Sequence, residues 1–130
     1  MNPKDNLEAV NITQLDFKKI KKITNIDTDV IPVVIQDINT LKVLMLGYVN
    51  QTALTQSLQE KKVVLWSTSK NKLWVKGKTS GNWLELKKAQ VNCENNSLIF
   101  LVELKGQGAC HTKDDDGKYR LSCYYRKLTI

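Results

Sequence analysis

The sequence contains no apolar run that approaches the roughly 18 to 20 residues needed to cross a bilayer. Its first residues also lack the basic stretch followed by an apolar stretch that marks a secretory signal. We therefore expect a cytoplasmic protein without a membrane partner. No repeat, linker or low-complexity segment interrupts the 130 residues, and this length favours one domain with one hydrophobic core.

Cysteine and histidine are scarce, with three cysteines and one histidine in the chain. Three cysteines cannot all pair within one chain, and disulfides are rare in a reducing cytosol. No C-x-x-C pair occurs, so the sequence lacks the closely spaced ligands of a zinc ribbon. From their number alone, the cysteines are either inert buried thiols or ligands of a bound group.

Acidic residues are outnumbered: 20 Lys and Arg against 13 Asp and Glu give a formal net charge of +7. A solvated basic surface accounts for this charge, and so does attraction of nucleic acid or of a small phosphorylated substrate. The lysines are spread along the chain without a dense tract, which argues against a nucleic-acid tail. We therefore expect no nucleic-acid partner.

The pattern of short β-branched segments predicts a mainly β (α+β) fold, a compact twisted sheet or pseudo-barrel with one or two helices. Residues 1–26 are polar, rich in lysine and free of glycine, and predict an N-terminal extension with a short helix over 11–23. We expect residues 27–130 to form a single domain. Its expected strands lie at 30–36, 41–48, 63–67, 72–76, 83–87 and 98–104, the first two forming a hairpin.

One helix is predicted over residues 51–60, with Asn50 as its N-cap. The spacing of the apolar residues places Ala53, Leu54 and Leu58 on its buried face. Pro32 is expected at the start of the first strand of the domain or on a sheet edge, because proline has no N–H to donate.

Five sequence blocks follow one another between about residues 29 and 126: IPVVIQD, VLMLGYVN, WSTSKNKLWVKGKTSGN, ACHT and SCYYR. Together they resemble the phosphoribosyl-AMP cyclohydrolase family of histidine biosynthesis. The resemblance implies a compact homodimer whose active sites are shared between the subunits. It also implies hydrolysis of the adenine ring of 1-(5-phosphoribosyl)-AMP at the N1–C6 bond, with zinc and magnesium as cofactors.

The resemblance makes Cys93, Cys110 and Cys123 the zinc ligands, with Cys93 donated by the partner subunit. Three thiolates leave one tetrahedral position open, which is typical of catalytic rather than structural zinc. Water at that position would ionise near neutral pH. The alternative is three unrelated buried thiols.

His111 directly follows Cys110 in the ACHT block. We expect it to act as a general acid and base, taking a proton from the attacking water and passing it towards the ring nitrogen. As a fourth zinc ligand it would instead make the site structural.

The magnesium motif of the family, Asp-x-Asp-x-Asp, corresponds here to Asn92, Glu94 and Asn96. Only one of the three carboxylates remains, and magnesium favours carboxylate and water oxygens. Three outcomes stay open: the site is lost, it survives weakly through Glu94 with waters and substrate phosphate, or carboxylates arrive from elsewhere. Residues 114–116 are the candidates for the last outcome, although a solvated acidic turn is the simpler interpretation of them.

The segment 66–82 is rich in hydroxyl groups, lysines and glycines, which together predict an anion-binding surface. A solvated hairpin is the alternative, and the tryptophans of the segment are as compatible with a core role as with stacking on the purine. An arginine after the last cysteine is either a phosphate contact or a surface residue. The resemblance favours substrate contacts at Ser67, Ser69, Lys76, Thr79 and Ser80, and we add Trp66 and Arg126 as further candidate contacts.

Two other functions remain open on the sequence. One is a divergent family member with a changed substrate or no activity, because its magnesium motif is eroded. The other is a non-enzymatic zinc module that binds nucleic acid through its positive charge, which predicts salt-dependent binding and a four-ligand zinc.

Overall fold

The computed structural model describes residues 8–23 and 25–130. These residues form eight strands, two α-helices and a 3-10 turn at Ile12–Gln14. This content confirms the predicted mainly β (α+β) fold class. In chain order the elements are β1 (Glu8–Val10), α1 (Lys19–Ile23), β2 (Ile31–Asp37), β3 (Val43–Val49), α2 (Gln51–Glu60), β4 (Val64–Ser67), β5 (Lys72–Val75), β6 (Leu84–Val91), β7 (Leu98–Leu104) and β8 (Arg126–Leu128).

A four-stranded sheet with the order β3-β2-β7-β6 organises the domain. Its hairpins β2–β3 and β6–β7 are antiparallel, and the parallel pair β2–β7 joins them. The β2–β3 hairpin confirms the prediction. Pro32 precedes Val33, the first residue of β2 that is in register with β7. The missing proline N–H therefore falls at the start of the strand, as expected.

One face of this sheet forms the hydrophobic core. Along β2, Val33 and Ile35 are buried, while Val34 and Gln36 are only partly buried, as the alternation of side chains along a strand requires. The fully buried Phe100 of β7 lies opposite Ile35. Residues of α2 and β4 belong to the same core cluster.

The opposite face of the sheet is apolar and partly exposed. Val34 lies opposite Leu46 of β3 and Ile99 of β7, and Leu46 is 45% exposed. A shallow depression on this face is lined by Val34, Ile99 and Gln90, and it reaches Asn92 in the turn after β6. Contiguous exposed apolar surface of this kind is typical of an interaction site.

Helix α2 begins as predicted, because the Asn50 side chain accepts the Ala53 N–H at 2.8 Å. Its predicted buried face is partly wrong, since Leu58 is 47% exposed. Ser57 is fully buried instead. Its hydroxyl lies 2.9 Å from the Ala53 and Val64 carbonyl oxygens and accepts the Val64 N–H at 2.9 Å. These bonds attach the helix to β4 and satisfy the buried hydroxyl.

Replacing Ser57 with Ala is expected to lower the free energy of unfolding by about 1–3 kcal/mol, because the Val64 N–H loses its acceptor inside the core. Urea unfolding measures this change. Thr55→Ala, at an exposed position of the same helix, is the matched control and is expected to change little. Equal stabilities of the two variants would contradict the role assigned to Ser57.

The N-terminal extension pairs with the C-terminal part of the chain. Strand β1 lies parallel to β8, with Glu8 opposite Arg126. The sequence gives no signal for either strand, because each is only three residues long. Of the predicted extension over 1–26, residues 1–7 and residue 24 lie outside the described residues.

The helix predicted over residues 11–23 is wrong in extent. The structure has the 3-10 turn Ile12–Gln14 and an α-helix only at Lys19–Ile23. Between them, the Asp16 side chain accepts the Lys18 N–H at 3.1 Å. Such local side-chain bonds compete with helical backbone bonds, so the helix starts again after Asp16. None of the helices in the described ranges has the length and apolar character needed to span a bilayer.

Candidate active site

The structure brings Cys110 and Cys123 close enough for each thiol to shift the pKa of the other. The Cys110 N–H donates to the Arg120 carbonyl oxygen at 3.1 Å, and the Cys123 N–H donates to the Leu44 carbonyl oxygen of β3 at 2.7 Å. A Cβ atom at Gly108 would collide with the Arg120 carbonyl. Glycine therefore permits the close backbone pairing that holds Cys110 in place.

The two thiols differ in acidity. Burial raises the pKa of Cys110, but hydrogen bonds from Thr112 and Cys123 and the charge of Arg120 outweigh it and leave that pKa below its ordinary value. The Cys110 Sγ atom lies 2.9 Å from Thr112 Oγ1. Cys123 is exposed at the surface of the single chain, but partial desolvation of its thiol and the negative charge of Cys110 raise its pKa to about 11. Cys110 is therefore the more acidic thiol of the pair.

Lys76 is buried beside this pair, with 5% of its surface exposed. Burial lowers the pKa of its ammonium group, and the negative charges of Cys123 and Cys110 oppose that shift. The Nζ atom also lies 5.8 Å from the centre of the Trp74 ring, within cation–π range. Contact between Lys76 and phosphate stays a prediction. Within the chain, the positive charge of Lys76 lies where it stabilises negative charge on the two sulfurs.

Asn82 ties the glycine-rich loop to the segment that leads to Cys110. It is 5% exposed, and its Oδ1 atom accepts the Gln107 N–H at 2.9 Å. Gly77 and Gly106 both pack against Asn82 so closely that neither has room for a Cβ atom. The φ of Gly77 is +79°, a value that glycine adopts without strain.

Cys93 lies apart from the other two cysteines. It is exposed and sits in the turn between β6 and β7. Within residues 8–23 and 25–130, no three His, Cys, Asp or Glu side chains group closely enough to hold a metal ion. One chain therefore offers Cys110 and Cys123 as adjacent sulfur donors, a pair that suits zinc. The third predicted ligand would have to come from a second chain.

The residues of the eroded magnesium motif share the turn that carries Cys93. Asn92, Glu94 and Asn96 are all exposed, and their side chains form hydrogen bonds with one another. Asp114 also closes a turn, because its Oδ1 atom accepts the N–H groups of Asp116 and Lys118 at 2.9 and 3.0 Å. This contact agrees with the simpler interpretation of residues 114–116 as an acidic turn.

Four predicted substrate contacts are hydroxyl groups on two loops. The Ser67 and Ser69 Oγ atoms lie 3.3 Å apart at the turn after β4. Thr79 and Ser80 are exposed on the loop before β6, and Ser80 Oγ accepts the Asn82 N–H at 3.2 Å. Their contact with phosphate stays a prediction.

Trp66 is partly buried, and its indole Nε1 atom is buried without a hydrogen-bond partner among the described residues. An unpaired buried N–H costs about 1–3 kcal/mol. A substrate or partner subunit that supplies an acceptor would remove this cost. Arg126 is exposed in β8, with its guanidinium 5.7 Å from the centre of the Tyr125 ring.

His111 is exposed next to the buried Cys110. The chain therefore turns at this point from the thiol pair towards solvent. An exposed imidazole is accessible to a substrate, but the catalytic role of His111 stays a prediction.

Three residues of this site are not singled out by the sequence. Thr112 contacts Cys110, Asn82 supports the loop, and the Arg120 guanidinium stacks 4.0 Å from the Tyr125 ring centre. Thr112 belongs to the ACHT block and Asn82 ends the WSTSKNKLWVKGKTSGN block. Their membership of these two blocks is the sequence signal that could have identified them. No sequence signal marks Arg120, because its position depends on backbone pairing with Cys110.

The sequence profile of the phosphoribosyl-AMP cyclohydrolase family matches residues 45–125. The phosphoribosyl-AMP cyclohydrolase of Chloroherpeton thalassium is 37% identical over 121 residues, which cover 93% of this chain and 78% of that protein. The enzyme of the same name from Archaeoglobus fulgidus is 45% identical over 98 residues, covering 75% and 84%. The histidine biosynthesis bifunctional protein HisIE of Haemophilus influenzae is 40% identical over 117 residues, covering 90% and 47%.

The profile match spans the thiol pair, the buried lysine and the glycine-rich loop. The chain belongs to the phosphoribosyl-AMP cyclohydrolase family. The chain spans about half the length of the bifunctional relatives that it matches.

Proposed function

We propose that this chain catalyses the zinc-dependent hydrolytic opening of the adenine ring of 1-(5-phosphoribosyl)-AMP at the N1–C6 bond, as a cytoplasmic step of histidine biosynthesis. Family membership supports the reaction class. The observation that carries the proposal is the thiol pair Cys110 and Cys123 beside the buried Lys76. Adjacent cysteine sulfurs are donors that zinc selects.

Cys110 and Cys123 of one chain, with Cys93 of the partner subunit, would hold the ion. When bound there, zinc would supply the Lewis acidity that makes water a nucleophile near neutral pH. Lys76 offsets part of the negative charge of the sulfurs. His111 accepts a proton from the attacking water on an imidazole nitrogen and passes it to the N1 nitrogen of the purine as the ring opens.

A homodimer is part of this proposal, because Cys93 lies apart from the other two cysteines. The apolar sheet face around Val34, Leu46 and Ile99 supports it, since this face is partly exposed and its depression reaches Asn92 beside Cys93. A second copy docked on this face would carry its own Cys93 turn into the contact. The interface and the shared site would then form together.

The substrate phosphates would bind the hydroxyl-rich loops, through Ser67 and Ser69 on one side and Thr79 and Ser80 on the other. Hydroxyl groups and glycine backbone N–H groups are suitable donors for an anion. Trp66 would give its unpaired Nε1–H to the substrate or to the partner subunit. Arg126 would add a positive charge for the phosphates.

Turnover tests the proposal directly. The purified chain, loaded with zinc, is expected to convert 1-(5-phosphoribosyl)-AMP to its ring-opened product, followed by ultraviolet absorbance. Adenosine monophosphate is the control substrate and is expected to stay intact, because it lacks the ribosyl group on N1 that activates the ring. A folded, zinc-loaded dimer without turnover would contradict the assignment.

Such a result would favour the second candidate, a divergent family member with another substrate or no activity. Asn92 and Asn96 favour this candidate, because they replace two carboxylates of the magnesium motif implied by the family resemblance.

A further inference from the structure

The turn between β6 and β7 is closed by the side chain of Asn92. Its Oδ1 atom accepts two backbone N–H groups, from Asn96 at 2.9 Å and from Ser97 at 3.0 Å. The backbone N–H of Asn92 also donates to the Ser97 carbonyl oxygen at 3.2 Å. One amide oxygen therefore satisfies two of the donors that the reversal of the chain leaves unpaired.

The side chains above this turn form a second set of hydrogen bonds. Asn92 Nδ2 donates to Asn96 Oδ1 at 2.6 Å, and Asn96 Nδ2 donates to Glu94 Oε2 at 3.3 Å. The amide oxygens of Asn92 and Asn96 both already accept hydrogen bonds. Glu94 carries the only carboxylate of the turn, and this carboxylate accepts a hydrogen bond from the Asn96 amide.

This arrangement does not fit magnesium. The ion requires a near-octahedral shell of oxygens and usually one or two carboxylates with several waters. The turn has a single carboxylate, and the amide N–H groups of Asn92 and Asn96 donate to two of the oxygens that a cation would need as ligands. Two negative charges are also missing relative to the Asp-x-Asp-x-Asp pattern.

We infer that hydrogen bonds among Asn92, Glu94 and Asn96 replace the divalent cation in this chain, so that the Cys93 turn keeps its shape without magnesium. The amides link the three side chains, and Asn92 Oδ1 holds the backbone. The inference does not rest on the proposed function, because its test measures metal binding and unfolding temperature rather than turnover.

Calorimetric titration and thermal unfolding of the full chain with magnesium chloride test this inference, with sodium chloride of equal ionic strength as the reference. The wild-type chain is expected to show no saturable heat and no change in unfolding temperature. The double variant Asn92→Asp with Asn96→Asp restores three carboxylates. It is expected to unfold at a lower temperature without magnesium, because the carboxylates repel one another, and to regain stability saturably as magnesium is added.

A second comparison keeps magnesium out. Asn92→Ala is expected to lower the unfolding temperature by several degrees, because two backbone N–H groups lose their acceptor. Asn25→Ala, at an exposed asparagine of the N-terminal segment, is the matched control. Saturable magnesium binding by the wild-type chain that Glu94→Gln removes would overturn the inference, and so would an Asn92→Ala variant as stable as the control.

Discussion

Mixing the variants Cys93→Ser and Cys110→Ser, each expected to be inactive alone, is expected to restore about a quarter of the wild-type activity if the site is shared across a symmetric dimer as proposed. Random exchange of subunits makes about half of the dimers mixed. In each mixed dimer one site combines an intact Cys93 with an intact Cys110 and Cys123. The other site carries both substitutions and stays inactive.

The structure supplies a sharp control for this experiment. Cys110 and Cys123 come together within one chain, so mixing Cys110→Ser with Cys123→Ser is expected to restore nothing. Either site of that mixed dimer lacks one sulfur of its own pair. Activity is followed after unfolding and refolding the mixtures together, with the zinc content of each mixture measured in parallel.

Two results would contradict the shared site. Restoration in the control mixture would mean that the sulfurs of Cys110 and Cys123 do not act as a unit. Full activity of Cys93→Ser alone would remove Cys93 from the site and leave the thiol pair without its third ligand.

Lys76→Met is expected to lower zinc affinity and turnover by roughly 10- to 100-fold, the usual effect of losing a group that supports metal ligands. Methionine keeps much of the length of the side chain and removes the charge. The buried ammonium offsets the negative charge of the cysteine sulfurs, and a thiolate at the buried Cys110 is unfavourable without a countercharge. The pKa of Cys123 should rise further, because Lys76 is the group that lowers it.

Competition with a chromophoric chelator measures zinc affinity, and the ultraviolet absorbance of the thiolates in the metal-free protein measures their ionisation. Lys78→Met is the matched control, since Lys78 lies two positions along the same loop and is exposed. If both variants lose activity equally, or if the thiol titration is unchanged in Lys76→Met, the countercharge role is refuted.

Local sequence signals were sufficient for the elements around the core. The alternation in residues 30–36 predicts β2 because burying every second side chain leaves that pattern in the sequence. Asn50 predicts the start of α2 because its side chain has a specific partner three residues on. Leu58 shows the limit of such patterns: a helix position on the apolar stripe is exposed, while the polar Ser57 is buried because β4 offers it an N–H group.

The sequence alone determined the mainly β fold class, the hairpin, the helix and, through the order of its blocks, the family. Only the tertiary structure decided that the free thiols of Cys110 and Cys123 lie close together, that Lys76 is buried beside them and that Cys93 lies away from both. Local patterns record which side of an element is apolar, because burial repeats with the period of the element. Contacts between distant segments, such as the parallel pairing of β2 with β7, depend on how the whole chain closes around its core, and no periodicity encodes them.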